Sequence, residues 1–220
     1  MIESNNNSTA NKLGDDTLTT GKSITVYSDY VCPFCLLAEE VISEAIGEQD
    51  IDIHWRAFEL RPYPVPTLRP EDSYLPAIWQ QAVYPLAKRL GVPIQLPSIS
   101  PQPRTAKAFE LLLMAQDQGL DHEYSMRVFQ AFFQQDRDIG DLEVLVDIAK
   151  DIGLDENEAR QALENGTYAE RHREALRHAN EEMAITSVPT IVVGKQVFRG
   201  TPSVEQLRQA IAQLEDSSNY

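Results

Sequence analysis

The chain has 220 residues, and 34 acidic against 19 basic side chains leave a formal net charge of −15. That length suits one domain with an insertion or two small domains, and 42% apolar residues supply a core, which excludes global disorder. No apolar run approaches the roughly 18 residues that cross a bilayer, and the acidic balance disfavours nucleic acid and anionic membranes as partners.

Residues 1–22 read as a flexible polar tail, rich in Asn and Thr and without an apolar block. A secretory signal needs such a block behind a basic start, so the expected location is the cytoplasm, where thiols are mostly kept reduced. Gly21-Lys22-Ser23 imitates the end of a phosphate-binding loop. The glycine required five positions earlier is Asp16, which removes that reading.

Ile24 to Tyr27 predicts a first strand, and Ser28-Asp29-Tyr30-Val31 turns the chain. Cys32-Pro33-Phe34-Cys35 follows, then a helix over Leu36–Ile46 that closes at Gly47. Pro33 suits the first helical turn, where a missing N–H costs nothing. Ile51, Ile53, Trp55 and Ala57 alternate with polar residues and predict a second strand with one buried face. Connection rules make these two strands parallel neighbours.

Pro62, Pro64, Pro66 and Pro70 interrupt regular structure, and from about Pro76 to Thr186 the pattern is helical throughout. Phe109, Leu112 and Leu113 with Met126, Phe129 and Phe133 supply a helical core there. Asp155 with Glu158 resembles a capping box. Thr190–Val193 and Gln196–Arg199 then form a hairpin about Gly194-Lys195. A last helix starts at Ser203, with Gln206 in the reciprocal capping position.

The chemistry lies in the two cysteines, three positions apart after a strand and at the opening of a helix. The helix N-terminus favours a thiolate at Cys32, and the thiolate is the nucleophile in disulfide exchange. Cys35 falls one turn on, on the same face, and would be the resolving thiol. Half of a zinc site is one alternative, but His54, His122, His172 and His178 show no ligand spacing, so no metal is expected. Two unreactive buried thiols are the other. Pro189, in Ser187-Val188-Pro189-Thr190, marks a strand start; a trans and a cis proline both fit that position.

The segments Ser28 to Cys35, Phe58-Glu59-Leu60-Arg61-Pro62 and Ser187 to Thr190 together resemble the FrnE-like subgroup of the DsbA family of thiol-disulfide oxidoreductases. The resemblance implies an α/β thioredoxin-like fold with a large α-helical insertion between strand two and the cis-proline strand. It divides the chain into a discontinuous thioredoxin-like domain, residues 23–62 and 187–214, and an insertion of residues 63–186. It implies an enzyme in which Cys32 attacks a substrate disulfide and Cys35 resolves. Pro33, Phe34 and a cis Pro189 would support the site, and the Val188 backbone would pair with an extended substrate. The redox-active Cys32–Cys35 disulfide would replace any bound cofactor. Substrates would be disulfide-containing proteins or small thiols, with a separate redox partner and no nucleic acid or membrane. Arg61 stands where the subgroup commonly has Asn.

Two other functions remain open: a glutathione-dependent isomerase or transferase of related fold, and a non-catalytic binding protein or chaperone. Among smaller features, Glu59 reads as a solvated loop carboxylate rather than a buried proton carrier. Trp55 and Trp79 read as core, and Arg104 and Lys107 as solvated charges.

Overall fold

The computed structural model describes residues 22–217. The tail reading of residues 1–22 therefore lies outside the described residues except at Lys22, which opens the first strand. The four strands are β1 (Lys22–Ser28), β2 (Ile51–Ala57), β3 (Thr190–Val193) and β4 (Gln196–Arg199), and they form one sheet in the order β2-β1-β3-β4. β1 is parallel to β2 and antiparallel to β3, with Ile24 beside Ile53 on one side and Val193 on the other.

β1 is an inner strand, and Ile24, Val26, Tyr27 and Ser28 are all buried. β2 lies at the edge and keeps the alternation of its sequence: Ile51, Trp55 and Ala57 are buried while Asp52 and Arg56 are exposed. The helix α1 (Pro33–Ile46) crosses between them and packs against the terminal helix α9 (Val204–Ser217). Helix α9 begins as its sequence predicts: Ser203 Oγ accepts from the Gln206 N–H, and Gln206 Oε1 accepts from the Ser203 N–H. The β3–β4 hairpin needs glycine at Gly194, where φ is +57° and a Cβ would stand 2.8 Å from Leu214 Cδ2.

The region between β2 and β3 is less uniform than a continuous helical block. Helix α2 (Tyr74–Ile78) runs through a π-helical turn, Trp79–Val83, into α3 (Tyr84–Leu90). The Tyr84 N–H reaches back five residues to the Trp79 carbonyl. Pro85 has no N–H to offer its preceding turn, and a widened turn next to it accommodates that loss. Residues 91–105 are then irregular rather than helical. Pro93, Pro97, Pro101 and Pro103 recur too closely for a helix to propagate. Side chains and neighbouring backbone hold this stretch: Gln95 N–H donates to Phe133 O, and Gln102 N–H to Leu68 O.

The helices α4 (Ala106–Gln116), α5 (Asp121–Phe133), α6 (Leu142–Asp151), α7 (Glu156–Asn165) and α8 (Ala169–Arg177) follow, and α8 ends in a second π-helical turn, His178–Glu182. Asp155 Oδ1 caps α7 by accepting from the Asn157 and Glu158 N–H groups. Helices α5 and α8 pack against β2, so the helical region leans on that edge of the sheet.

One aromatic cluster joins the two regions. Phe129 on α5 lies with its ring centroid 5.2 Å from Tyr30, 5.6 Å from Trp55 and 6.3 Å from Phe133. Trp55 and Trp79 are both core residues, each 1% exposed, and Trp55 Nε1 donates to His122 Nδ1. Phe129→Ala removes the ring shared by both regions and leaves a cavity in the core. Urea unfolding should show a loss of about 3–5 kcal/mol; a loss under about 1 kcal/mol would mean that the two regions do not share a core.

Candidate functional site

Cys32 occupies the N-cap of α1 with extended backbone (φ −92°, ψ 109°), and Pro33 takes the first helical position. The turn closes through the Cys32 N–H on Asp29 O at 2.9 Å and the Cys35 N–H on Cys32 O at 3.1 Å. Both cysteines are free thiols within hydrogen-bonding reach of each other. Cys32 is 5% exposed and Cys35 is fully buried, so an incoming group meets Cys32 first.

Burial pushes the Cys35 thiol well above its ordinary range, and the neighbouring Cys32 adds to this. The Ser28 hydroxyl and the Asp29 N–H pull weakly the other way. Cys35 therefore holds its proton in the reduced protein and must give it up before it can act as a nucleophile.

The strand-side wall comes from the segment before β3. Val188 O lies 3.7 Å from Cys32 Sγ, and the Val188–Pro189 peptide is cis. The Thr190 hydroxyl donates to Ser187 O, and Pro189 O accepts from the Gly200 N–H, which ties this segment to the end of the hairpin. Phe34 O accepts from the Thr201 hydroxyl at 3.4 Å, which anchors the first turn of α1 to the loop before α9. Cys32, Pro33, Phe34, Cys35, Val188 and Pro189 thus fall at one end of the sheet, around one sulfur pair.

Asp29 completes the site and carried no signal in its residue type alone. It is 1% exposed, three residues before Cys32. Its Oδ2 accepts from the Leu60 N–H at 2.7 Å, while Oδ1 has no hydrogen-bond partner. Burial pushes its carboxyl up to about 6 against the opposing pull of that N–H. A cavity of about 10 Å³, room for about one water, adjoins Asp29 and is also lined by Val31, Thr67, Gln102 and Thr105. The usable signal was context: a carboxylate just past a strand that is covered on both faces cannot stay solvated.

Two sequence readings need correction. Glu59 is not a solvated loop carboxylate, because its side chain is 7% exposed and accepts from His172 Nε2 at 2.7 Å. His172 itself is 4% exposed and stacks on Phe109, so the pair lies where α8 meets the chain after β2. Arg104 is not a free surface charge either: it donates to Arg61 O and Val65 O, both at 3.0 Å. Among the described residues no group of three or more His, Cys, Asp or Glu could hold a metal ion. None of the described helices is long and apolar enough to cross a membrane.

A strand that feeds a buried Cys-x-x-Cys at a helix N-terminus, facing a cis-proline segment across the sheet end, defines a thioredoxin-type dithiol fold. The DSBA-like thioredoxin domain matches residues 23–212, and the chain belongs to that family. It is 45% identical over 190 residues to the uncharacterized protein YwbO of Bacillus subtilis (strain 168), a span of 86% of this chain and 95% of that one. Among solved structures it resembles a probable DsbA oxidoreductase from Streptomyces coelicolor, with a TM-score of 0.70 at 21% identity over 89% of this chain and 90% of that one. It also resembles a 2-hydroxychromene-2-carboxylate isomerase, with a TM-score of 0.71 at 19% identity over 89% and 97% of the two chains. A third similar structure is the cytosolic disulfide reductase DsbM of Pseudomonas aeruginosa with GSH, with a TM-score of 0.64 at 16% identity over 90% and 100%.

Asp29 gives the fold a pH dependence of known sign. Its carboxyl is raised in the folded state, from an ordinary 3.8 to about 6. The folded state therefore binds the proton more tightly, and this contribution to stability is complete below about pH 4 and lost as the pH rises through about 6. Two pH units correspond to about 3 kcal/mol. Asp29→Asn removes the titration, so its stability relative to the natural protein should rise by up to about 3 kcal/mol between pH 4 and pH 8. Denaturant unfolding across that range measures this, and a flat difference would show that Asp29 titrates normally.

Proposed function

We propose that the protein is a thiol-disulfide oxidoreductase in which Cys32 is the nucleophile and Cys35 the resolving thiol. The observation that carries this reading is the asymmetry of the pair. Cys32 caps α1 at the rim of the site, and Cys35 lies fully buried behind it within reach of its sulfur.

The step balances without a bound cofactor. The Cys32 thiolate attacks one sulfur of a substrate disulfide, forms a mixed disulfide and expels the first substrate thiolate. Cys35 gives up its proton and attacks Cys32 Sγ, which expels the second substrate thiolate and leaves a Cys32–Cys35 disulfide. Two electrons have then moved from the protein to the substrate. A dithiol donor returns the pair to its reduced form, and the reverse sequence oxidises a substrate dithiol. Burial holds the proton on Cys35, so its transfer to a base or to the departing substrate thiolate accompanies this second attack. The cis Val188–Pro189 segment presents the Val188 carbonyl beside Cys32, and the same backbone is assigned the extended substrate strand.

The reading takes the reducing direction, with a small thiol or a dithiol protein as the donor. The structural neighbour described as a cytosolic disulfide reductase supports that direction. The isomerase neighbour shares the fold, but a buried resolving thiol behind Cys32 has no part in activating a second molecule's thiol. A purely binding role leaves the paired thiols at a helix N-terminus without a purpose.

Cys32→Ser should abolish disulfide reduction in the insulin turbidity assay. Cys35→Ser should accumulate a covalent mixed disulfide that is visible on non-reducing gels and released by dithiothreitol. Equal activity of Cys32→Ser and the natural protein ends this reading.

A further inference from the structure

Large apolar side chains exposed among the described residues are few, and three of the six fall within one short stretch: Leu60 at 44%, Tyr63 at 84% and Val65 at 40%. Such clustering next to a reactive centre differs from the single exposed apolar residues found on any surface. The stretch leans on the turn that precedes Cys32, because the Leu60 N–H is bound by the Asp29 carboxylate, and Arg61 and Arg104 line the same small cavity as Val31.

The loop is held in one shape. Arg104 bridges Arg61 O and Val65 O, and its guanidinium carbon lies 5.4 Å from the Tyr63 ring centroid. The Val65 N–H closes a turn on Pro62 O at 2.8 Å, and Arg61 Nη1 donates to Pro66 O. A surface ordered beforehand loses little entropy when it is covered. Tyrosine and arginine are also the residue types that dominate binding at protein interfaces.

Charge narrows the occupant. Both arginines give hydrogen bonds to carbonyl oxygens, and neither pairs with a carboxylate among the described residues. The nearby acids have other contacts: Glu59 on His172, Glu71 on Ser100 and Arg69, and Asp29, which lines the same small cavity, on the Leu60 N–H. On a chain of net charge −15 this leaves two arginines without a direct ion pair among the described residues, next to an exposed aromatic ring.

We propose that the Leu60–Val65 loop, clamped by Arg104, is the docking surface for an extended segment of a protein substrate that carries an apolar side chain flanked by acidic ones. The apolar side chain packs on Tyr63 and Val65, and the acidic side chains face Arg61 and Arg104. This rests on the thiol-disulfide reading above and assigns it a substrate class: acidic-apolar polypeptide rather than small disulfides alone.

The test uses the full chain and three disulfide-linked peptides with a common cysteine core, flanked by Phe-Asp-Asp, Phe-Lys-Lys or Ser-Gly-Gly. The natural protein should show a KM for the acidic peptide about 10-fold below that for the basic one. Tyr63→Ser should raise the KM for the acidic peptide about 5-fold with kcat unchanged. Arg104→Gln should erase the preference for acid over base. Equal KM values for all three peptides overturn the proposal. So does a Tyr63→Ser effect on kcat that extends equally to hydroxyethyl disulfide, because the loop would then be structural. A dimer that Tyr63→Ser dissociates in gel filtration also overturns it, in favour of a second copy as occupant. Should no disulfide be turned over at all, the oxidoreductase reading fails by itself. Fluorescence anisotropy with the acidic peptide carrying Ser for Cys then decides the surface: tighter binding than the basic peptide sustains it, and equal or absent binding overturns it.

Discussion

The site depends on how the four-residue turn between β1 and α1 is held. Tyr30 points from that turn into the helical region, fully buried, stacked 4.6 Å from the Phe109 ring and with its hydroxyl 3.0 Å from Ser125 Oγ. Its neighbour Asp29 reaches the other way and holds the chain after β2 through the Leu60 N–H. Two adjacent side chains therefore tie the cysteine turn to both parts of the molecule. A residue placed at an N-cap can point its sulfur consistently only if the turn before it cannot rock, and these two contacts supply that rigidity.

The same arrangement accounts for a buried polar pair, Glu59 with His172. Glu59 and His172 are both nearly inaccessible, and polar groups so buried are tolerated only where they are hydrogen-bonded. The pair stands where α8 meets the segment that also carries Leu60 and the exposed loop. Removing one partner would leave the other buried without its hydrogen bond, a loss of about 1–3 kcal/mol. The pair thus fixes register between the helical region and the loop beside the dithiol more than it adds net stability.

Much of the sheet domain was legible because its signals are local. The strand of alternating residues at β2, the Pro33 start, the Gly194 turn and the Ser203–Gln206 cap each follow from neighbours in sequence. The family was legible because its motifs are short, and the match over residues 23–212 covers all three. What escaped was set by distant contacts. The irregular stretch 91–105 is shaped by prolines whose carbonyls and neighbours find partners on α3, α5 and the segment after β2. The roles of Asp29, Glu59 and Arg104 depend on residues 31, 113 and 39 to 43 positions away. No window of sequence shows that a carboxylate at position 59 has a histidine on α8 to meet it.

Charge shows the same division between composition and placement. A value of −15 describes the whole chain and discourages polyanions as partners, yet it says nothing of any one patch. Around the dithiol the balance differs from the average. The acids nearest the cysteine turn are buried and engaged, Asp29 on Leu60 and Glu59 on His172, while Arg61 and Arg104 stand beside the loop without carboxylate partners. Composition sets the average, while burial and backbone hydrogen bonds decide which charges are left to face a neighbour.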